Sequence, residues 1–253
     1  MSFKQAVRHL LSTGLKPHFI LAGPLQGCRL VTSWHDYPAG LTGRTERRLL
    51  SWFQAEVRTG DTWLDIGAHY GYTAIALARL VGPAGRVFAF EPVTATAGCV
   101  AQTRRLNKLN QLTVVPLGLG RPESLASVTL PLTRGMADKT LDGVDRPWLE
   151  SLQIARFDWL WPIINAGSDG VDGVKIDVQG MEMDVLCGME QLLRRHRPKL
   201  VIEFHHGVDR RPILDLLAAA GYEHRPVPIE PEPDPTLSQL LDDRSYAFRK
   251  AVL

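Results

Sequence analysis

The sequence contains little cysteine and no long apolar run. The cysteines number three in 253 residues, lie far apart and form no CxxC pair, which argues against a disulfide framework and against a zinc site. A membrane span needs about 18 consecutive apolar residues, and no apolar run approaches this length. The opening residues also lack the continuous apolar stretch of a signal peptide. We therefore expect a protein of the reducing cytoplasm with no transmembrane segment.

A large charge of either sign is also absent. The formal net charge is +2 and the pI is about 8.5, a balance that does not indicate a nucleic-acid partner. The one basic cluster, at residues 194–199, follows a helical pattern, so a solvated helix end is favoured over a phosphate or membrane contact. The apolar content of 45% and the charged content of 22% are typical of a folded globular protein.

Length and pattern predict one α/β domain at residues 45–253, preceded by an N-terminal extension at residues 1–44. The extension begins with a predicted helix whose apolar residues share a face, which indicates packing on the domain or weak docking on a membrane. Residues 19–34 contain short apolar runs broken by Gly-Pro and Gln-Gly, the pattern of a hairpin.

From residue 45 onward, helix and strand patterns alternate. They predict helices at 45–57, 72–81, 96–109, 182–196 and 210–222, and strands at 62–68, 85–92, 112–119, 171–178, 198–206 and 245–253. This alternation predicts a Rossmann-like α/β fold with a mostly parallel sheet of about seven strands, helices on both faces and an antiparallel last strand. Residues 119–170 are less regular, and the proline-rich, acidic residues 226–236 are interpreted as an extended surface connection.

The turn after the strand at 62–68 predicts the kind of ligand. It has the pattern DxGxxxG, formed by Asp65, Gly67 and Gly71, whereas a nicotinamide or flavin site is expected to have GxGxxG. A carboxylate at this strand end would repel a diphosphate but would suit the ammonium and sulfonium charges of S-adenosylmethionine. His69 stands where many methyltransferases have glycine, and histidine tolerates the left-handed backbone region better than most residues.

The next strand ends in Phe-Ala-Phe-Glu91-Pro92 and carries a second signal. An acidic residue at about this separation from the glycine turn can accept hydrogen bonds from both ribose hydroxyls, and the proline fixes the turn behind it. The two signals together are more specific than either is alone.

Five blocks of the sequence carry a family resemblance. They are LDIGAHYGYTAIAL, VFAFEP, LTVVPLGLG, VDGVKIDVQGMEMDVLCGM and RPKLVIEFHH, and together they resemble the FkbM-type methyltransferase family. The resemblance implies S-adenosylmethionine as cofactor and a hydroxyl of a sugar, glycolipid or natural product as methyl acceptor. It also implies a cofactor site with the methionyl part at Asp65, Gly67, His69 and Gly71, the ribose at Glu91 and the adenine at Leu117 and Gly118; the adjacent Ala68, Tyr72 and Pro92 complete the predicted set.

Two positions depart from the family pattern. His69 replaces the usual Asn, and Gln179 replaces the usual Glu of KIDVEG, while Glu182 is retained. An amide at position 179 can supply hydrogen bonds but no charge. A non-catalytic cofactor-binding protein on the same fold therefore stays open as an alternative. A nicotinamide-dependent oxidoreductase on the same sheet is the other alternative, although the DxGxxxG turn argues against it.

The predicted catalytic residues are Asp177, Glu203 and His205, near the C-terminal ends of two strands. Lys175 and Asp177 share one strand face; we interpret Asp177 as the base or the acceptor-orienting group, and Lys175 as its structural ion-pair partner. Glu203 and His205 share a face of the next strand, where Glu203 could orient His205 as a base. A metal ion on these three side chains is the weaker alternative, and no metal site is assigned.

Residues 34–37, Trp-His-Asp-Tyr, are predicted either to line the acceptor pocket or to pack on the surface, and His206 is predicted to be structural. A small-molecule acceptor is the expected partner. A homodimer is left open by the sequence.

Overall fold

The computed structural model describes residues 11–137, 148–165, 167, 170–231 and 240–251. The predicted N-terminal helix falls on residues 1–10 for the most part and so lies outside the described residues, as do residues 232–239 of the proline-rich segment. Within the described part of the chain, no helix is long and apolar enough to cross a membrane.

The elements of the described residues follow the order of the chain. The strands are β1 Lys16–Phe19, β2 Arg29–Thr32, β3 Thr62–Ile66, β4 Arg86–Phe90, β5 Leu112–Val115, β6 Gly118–Leu119, β7 Leu125–Thr133, β8 Met136–Ala137, β9 Trp148–Ala155, β10 Gly173–Ile176, β11 Lys199–Phe204, β12 Val227–Pro228 and β13 Arg244–Phe248. The helices are α1 Pro38–Thr42, α2 Arg47–Glu56, α3 Tyr72–Val81, α4 Thr94–Leu106, α5 Phe157–Ile164, α6 Glu182–Gly188, α7 Glu190–His196 and α8 Arg210–Ala219.

A seven-stranded mixed sheet forms the centre of the fold, in the order β12-β13-β11-β10-β3-β4-β5. The strands from β11 to β5 are parallel, whereas β13 runs antiparallel to both β11 and β12. The predicted α/β class, the mostly parallel sheet and the antiparallel last strand are therefore confirmed. The interpretation of residues 226–236 as connection alone was wrong, because Val227–Pro228 pairs with the edge of β13.

Helices cover both faces of this sheet because its central strands are apolar on both sides. All five residues of β3 are buried, and Trp63 and Leu64 point into different clusters of the core. The cluster of Trp63 includes residues of α2, α3, α4 and the β1–β2 hairpin, and the cluster of Leu64 includes residues of α5, α6, α7 and α8. The predicted hairpin thus packs in the same core as the domain, and the proposed domain boundary at residue 45 stays a prediction.

Residues 119–170 contain more structure than the sequence pattern predicts. Strands β6, β9, β7 and β8 form a separate four-stranded sheet, and α5 follows it. The predicted strand at 112–119 is split, because β5 belongs to the central sheet whereas β6 pairs with β9. Half-exposed strands of the second sheet lack a continuous apolar run, which is why the pattern is weak.

The predicted helix at 182–196 is two helices, α6 and α7, which meet at Met189. Met189 has φ −122° and ψ 22° and is fully buried. Gly188 is pressed against the backbone of Gly120, so that a Cβ there would overlap the Gly120 carbonyl oxygen. The break lets the chain approach the second sheet closely, a tertiary contact that helical spacing does not report.

Candidate active site

A cavity of about 240 Å³ opens where β3, β4, β10 and β11 end, the edge at which parallel sheets bind ligands. We name two groups of its lining residues. We call Gly67, Ala68, His69, Glu91 and Pro92 the turn end, and Glu46, Asp177 and Glu203 the carboxylate end. The lining also includes Asp36, Tyr37, Tyr70, Tyr72, Thr73, Arg134, Met136, Ala137, Lys175, Val178, Gln179 and Met181.

The turn end depends on a backbone conformation that glycine supplies. Gly67 has φ 77°, and a Cβ at this position would overlap the backbone carbonyl oxygen of Asp177 on the neighbouring chain segment. The backbone N–H groups of Gly67 and Ala68 both donate to the carbonyl oxygen of Phe90, each at 3.0 Å. The turn is therefore held between β4 and β10, with room for a ligand but none for a side chain at residue 67.

His69 occupies the left-handed region with φ 49°, the conformation that the sequence analysis required of it. Its Nε2 lies 3.1 Å from the carbonyl oxygen of Arg134 in the β7–β8 turn, and its ring contacts Tyr37 and Tyr70. Burial lowers the pKa of His69 to about 4, so the ring is neutral at physiological pH. The side chain thus joins the turn end to the second sheet, which covers the cavity.

Glu91 is 4% exposed, and both of its oxygens are held by backbone N–H groups. Oε2 accepts from His69 N at 2.8 Å, and Oε1 accepts from Val93 N at 2.9 Å. Burial raises the pKa of Glu91 to about 8, although both hydrogen bonds oppose this rise. The carboxyl group is therefore fixed in the cavity wall, with lone pairs left to accept hydrogen bonds from a ligand.

A narrow apolar slot of about 30 Å³ continues the turn end. It is lined by Leu117, Gly118 and Pro92, which the sequence analysis assigned to the cofactor site, and by the neighbouring Phe90. A Cβ at Gly118 would lie 2.9 Å from Ile154 Cγ2 of β9, which shows how closely the second sheet approaches. The lining of the slot is apolar, as suits the faces of a heteroaromatic ring.

Asp65 and Gly71 are not among the described residues that line the cavity, and their place around the methionyl part of the cofactor stays a prediction. Asp65 is fully buried: its Oδ2 accepts from Thr73 Oγ1 at 2.7 Å, and its Oδ1 lies 3.1 Å from Lys175 Nζ. Register explains this pair, because Lys175 lies directly beside Asp65 in β10 and β3. The charge of Asp65 is thus compensated by Lys175 and is not presented to a ligand.

Lys175 is the structural partner that the sequence analysis expected. Its Nζ also donates to the carbonyl oxygen of Gly67 at 2.9 Å and lies 3.3 Å from Asp177 Oδ2. Burial would lower the pKa of Lys175, but Asp177 and Asp65 outweigh burial and raise the pKa above its usual range. One buried ammonium group therefore ties the glycine turn to both carboxylates.

The three predicted catalytic side chains come together at the ends of β10 and β11. His205 Nε2 lies 3.5 Å from Asp177 Oδ1 and 3.7 Å from Glu203 Oε1. Asp177 and Glu203 line the cavity, whereas His205 is 4% exposed and lies behind them. A direct contact between His205 and a ligand in the cavity, as expected for a base, is therefore not available in this arrangement.

His205 is held from behind by a residue that the sequence analysis noted but gave no role. His205 Nδ1 donates to Glu182 Oε1 at 2.9 Å, and Glu182 is fully buried. Burial would lower the pKa of His205, but Glu182 and Asp177 outweigh burial and raise the pKa to about 9. Gln179 Nε2 lies 2.6 Å from His205 Nε2; a half-turn of the amide would place its oxygen there as the acceptor that a protonated ring needs.

Charge is unevenly distributed at the carboxylate end. Burial raises the pKa of Glu203 to about 8, and the nearby charges of Asp177 and Glu46 contribute to this rise. Burial also raises the pKa of Glu46, with Asp177 adding to the effect. For Asp177, burial acts in the same direction, but Lys175 and His205 outweigh it and lower the pKa. Asp177 is thus the most readily ionised group of the three.

Residues 34–37 contribute in part to the cavity. Asp36 and Tyr37 line it, and Asp36 Oδ2 accepts hydrogen bonds from Ser33 Oγ at 2.7 Å and Tyr70 OH at 3.2 Å. His206 is exposed and pairs with Asp242 at 3.0 Å, away from the cavity.

Several lining residues carried no recognisable signal in the sequence. Glu46 stands at the start of α2, Arg134 lies in the β7–β8 turn, and Met181 precedes α6. Tyr72 was predicted from its place in the turn, and its buried hydroxyl has no hydrogen-bond partner among the described residues. A ligand hydroxyl could satisfy it.

The sequence pattern of the methyltransferase FkbM domain matches residues 65–224. The chain belongs to this family. The predicted resemblance is therefore confirmed, as is the assignment to the S-adenosylmethionine-dependent methyltransferases at the level of the family. Membership also decides against the nicotinamide-dependent oxidoreductase alternative. No curated protein matches the chain in sequence.

Solved structures of methyltransferases are similar to this FkbM-family chain. The methyltransferase FkbM of Methylobacillus flagellatus KT is 16% identical, with a TM-score of 0.51; the match covers 79% of this chain and 50% of that one, so this chain spans about half its length. Fibrillarin of Aeropyrum pernix with bound S-adenosyl-L-methionine is 15% identical, with 93% and 82% coverage and a TM-score of 0.49. The O-methyltransferase TomG of Streptomyces achromogenes is 14% identical, with 85% and 80% coverage and a TM-score of 0.49.

Proposed function

We propose that the cavity binds S-adenosylmethionine and that the protein transfers its methyl group to a hydroxyl oxygen of a small molecule, such as a sugar, a glycolipid or a natural product. One observation carries the proposal: a glycine turn, a buried carboxyl group and an apolar slot open onto one cavity that ends at the ionised Asp177. These features fit the methionyl part, the ribose and the adenine of the cofactor in that order.

Each part of the turn end has a defined task in this proposal. The absence of a side chain at Gly67 lets the turn lie against the Asp177 carbonyl oxygen, which fixes the backbone that lines the cavity. The fixed oxygens of Glu91 accept hydrogen bonds from the ribose hydroxyls. Leu117 and Gly118 enclose the adenine in the slot. Asp65, which is paired with Lys175, holds the turn in shape rather than touching the ligand.

Asp177 orients the acceptor at the other end. Bound S-adenosylmethionine supplies a methyl carbon to the acceptor oxygen, and the electron pair of the broken carbon–sulfur bond stays on sulfur. Asp177 accepts the hydrogen bond of the acceptor hydroxyl, aims the oxygen lone pair and takes the proton. His205, behind Asp177, is a positioning residue, and Glu203 completes the wall.

The assay begins with cofactor binding, followed by turnover. Isothermal calorimetry with S-adenosylmethionine is expected to give one site per chain, and NAD is expected to give no heat of binding. Release of S-adenosylhomocysteine is then followed with a panel of sugar and polyphenol hydroxyl acceptors. Binding without turnover on any acceptor would instead favour the non-catalytic alternative. That alternative is based on the two departures from the family pattern, His69 and Gln179.

Acceptor identity, a homodimer and a cytoplasmic location remain predictions. Aromatic and carboxylate groups together at the acceptor side support a polyhydroxylated ligand, because ring faces and charged acceptors both contact sugars well. Gel filtration with light scattering would test the homodimer.

A further inference from the structure

Three electron-pair donors converge at the carboxylate end of the cavity. Asp177, Glu203 and His205 come from the ends of two adjacent strands, and each offers one donor atom such that the three atoms all lie within 4.8 Å of one another. No lysine or arginine of the described residues forms a salt bridge with Glu203. Like charges at this distance repel, so a cation placed among them lowers the energy of the group.

The second ring nitrogen of His205, Nδ1, has the kind of partner that histidine ligands of metal ions have. Nδ1 donates to Glu182 Oε1 at 2.9 Å, and both residues are buried. A carboxylate in this position fixes the ring orientation and leaves Nε2 directed away from it, toward Asp177 and Glu203. Histidine ligands of metal ions almost always have such a partner on the other ring nitrogen.

The second oxygen of each carboxylate has a partner of its own, which leaves one oxygen of Asp177 and one of Glu203 to face a cation. Lys175 Nζ pairs with Asp177 Oδ2 at 3.3 Å and leaves Oδ1 toward His205. Ser245 Oγ donates to Glu203 Oε2 at 3.2 Å and leaves Oε1 toward His205. His205 Nε2 lies 2.6 Å from Gln179 Nε2, so cation binding requires the Gln179 amide to turn away from this nitrogen.

We propose that Asp177, Glu203 and His205 bind one divalent cation of the Mn²⁺ or Mg²⁺ type. Two carboxylates favour hard ions, and a single imidazole extends the choice to first-row metals, so Mn²⁺ matches the set best. Cation binding does not depend on the proposed methyl transfer. The use of the ion in catalysis rests on that function: beside Asp177, it would polarise the acceptor hydroxyl and ease the loss of its proton.

The test uses the full-length chain, freed of metal with a chelator, without S-adenosylmethionine or acceptor. MnCl₂ is titrated by calorimetry and by the electron paramagnetic resonance signal of free Mn²⁺. We expect one ion per chain, and pulsed spectra of the bound ion are expected to show modulation by an imidazole nitrogen. Absence of binding by Mn²⁺, Mg²⁺ and Zn²⁺ at millimolar concentration, or bound Mn²⁺ without nitrogen modulation, overturns the proposal.

Variants locate the ion. Glu203→Gln keeps shape and removes the charge, and His205→Gln removes the nitrogen; each is expected to weaken Mn²⁺ binding by about tenfold or more. His206→Gln is the matched control, because its histidine is adjacent in sequence but exposed and paired with Asp242. Glu182→Gln is expected to weaken binding by about 10- to 100-fold through loss of ring orientation. Unchanged Mn²⁺ affinity in Glu203→Gln overturns the proposal.

If a variant fails to fold, the nitrogen modulation in the pulsed spectra of the unaltered chain still tests whether an imidazole binds the Mn²⁺ ion. The proposed function fails by a different result, namely the absence of S-adenosylmethionine binding or turnover. A chain that binds cofactor but no Mn²⁺ refutes the cation site alone, and a chain that binds Mn²⁺ but no cofactor refutes the methyltransferase cavity alone.

Discussion

At the turn end of the cavity, polar groups are satisfied by the backbone of the turns that form the site, whereas at the carboxylate end side chains from three distant segments face one another. Glu91 accepts the N–H groups of His69 and Val93, and both belong to the turns that form the site. Glu46, Asp177 and Glu203 instead raise one another's pKa or rely on Lys175. The first end is complete without a ligand, and the second leaves negative charge for a ligand or ion to meet.

This contrast teaches where substitutions act. At the turn end, a change distorts backbone and is expected to affect cofactor affinity, because the ligand lies against main-chain atoms. At the carboxylate end, a change alters charge and is expected to affect turnover or cation binding, with cofactor affinity preserved. The predictions below test this division, from the largest expected effect to the smallest.

Gly67→Ala is expected to abolish cofactor binding, because its Cβ would overlap the Asp177 carbonyl oxygen and φ 77° strains any side chain. Calorimetry with S-adenosylmethionine measures the loss, and circular dichroism checks the fold. Gly60→Ala is the matched control: Gly60 has φ 92° but nothing lies within 4 Å of its added Cβ, so it experiences strain without overlap. Normal cofactor affinity in Gly67→Ala would disprove the close approach.

Asp177→Asn is expected to lower kcat by about 10²-fold or more, because the acceptor loses its oriented proton acceptor. Cofactor affinity should change little, since the proposal assigns the ribose to Glu91 and the adenine to the slot rather than to the Asp177 side chain. Asp172→Asn provides the control, because Asp172 precedes the same strand at its opposite end and accepts from Thr62 N. Full turnover by Asp177→Asn would remove its assignment as base and orienter.

Glu91→Ala is expected to weaken S-adenosylmethionine binding by about 1–3 kcal/mol, through loss of the carboxyl group's hydrogen bonds to the ribose. The control is Asp158→Ala, because Asp158 also accepts two backbone N–H groups, from Gln191 and Leu192, but lies outside the cavity lining. Both variants should lose stability in urea, and only Glu91→Ala should lose cofactor affinity. Equal affinities in the two variants would contradict the ribose role.

The smallest expected effect is a pH dependence of stability. The pKa of Glu91 is raised by burial to about 8 in the folded chain, so its contribution is present below the unfolded pKa near 4.5 and is lost as pH rises through 8. The pKa of His69 is lowered by burial to about 4, so its contribution is present above 6.5 and is lost as pH falls through 4.

Urea unfolding from pH 6.5 to 8.5 measures the Glu91 contribution without interference from His69. The free energy of unfolding is expected to fall over this range, and to fall less in Glu91→Gln than in the unaltered chain. A difference between the two chains that stays constant with pH would show that Glu91 does not titrate there.

The strands and helices of the central sheet could be predicted because their residues repeat with the period of the element. β3, α3 and β4 follow contiguous patterns, and the glycine turn between them has a local backbone requirement at Gly67. Glu91 could be assigned because it follows its strand directly. The second sheet, the break at Met189 and the edge strand β12 could not be predicted, because each depends on contacts with distant residues.

By itself, the amino-acid sequence determined the α/β class, the methyltransferase family and the positions of the turn and Glu91, because local backbone demands and periodic burial leave marks along the chain. Only the tertiary structure decided which carboxylates meet. Strand register set Lys175 beside Asp65 and so withdrew that charge from the cavity, while it brought Asp177, Glu203 and His205 together from separate strands. Electrostatic partners are chosen by distance in space, which spacing along the chain does not encode.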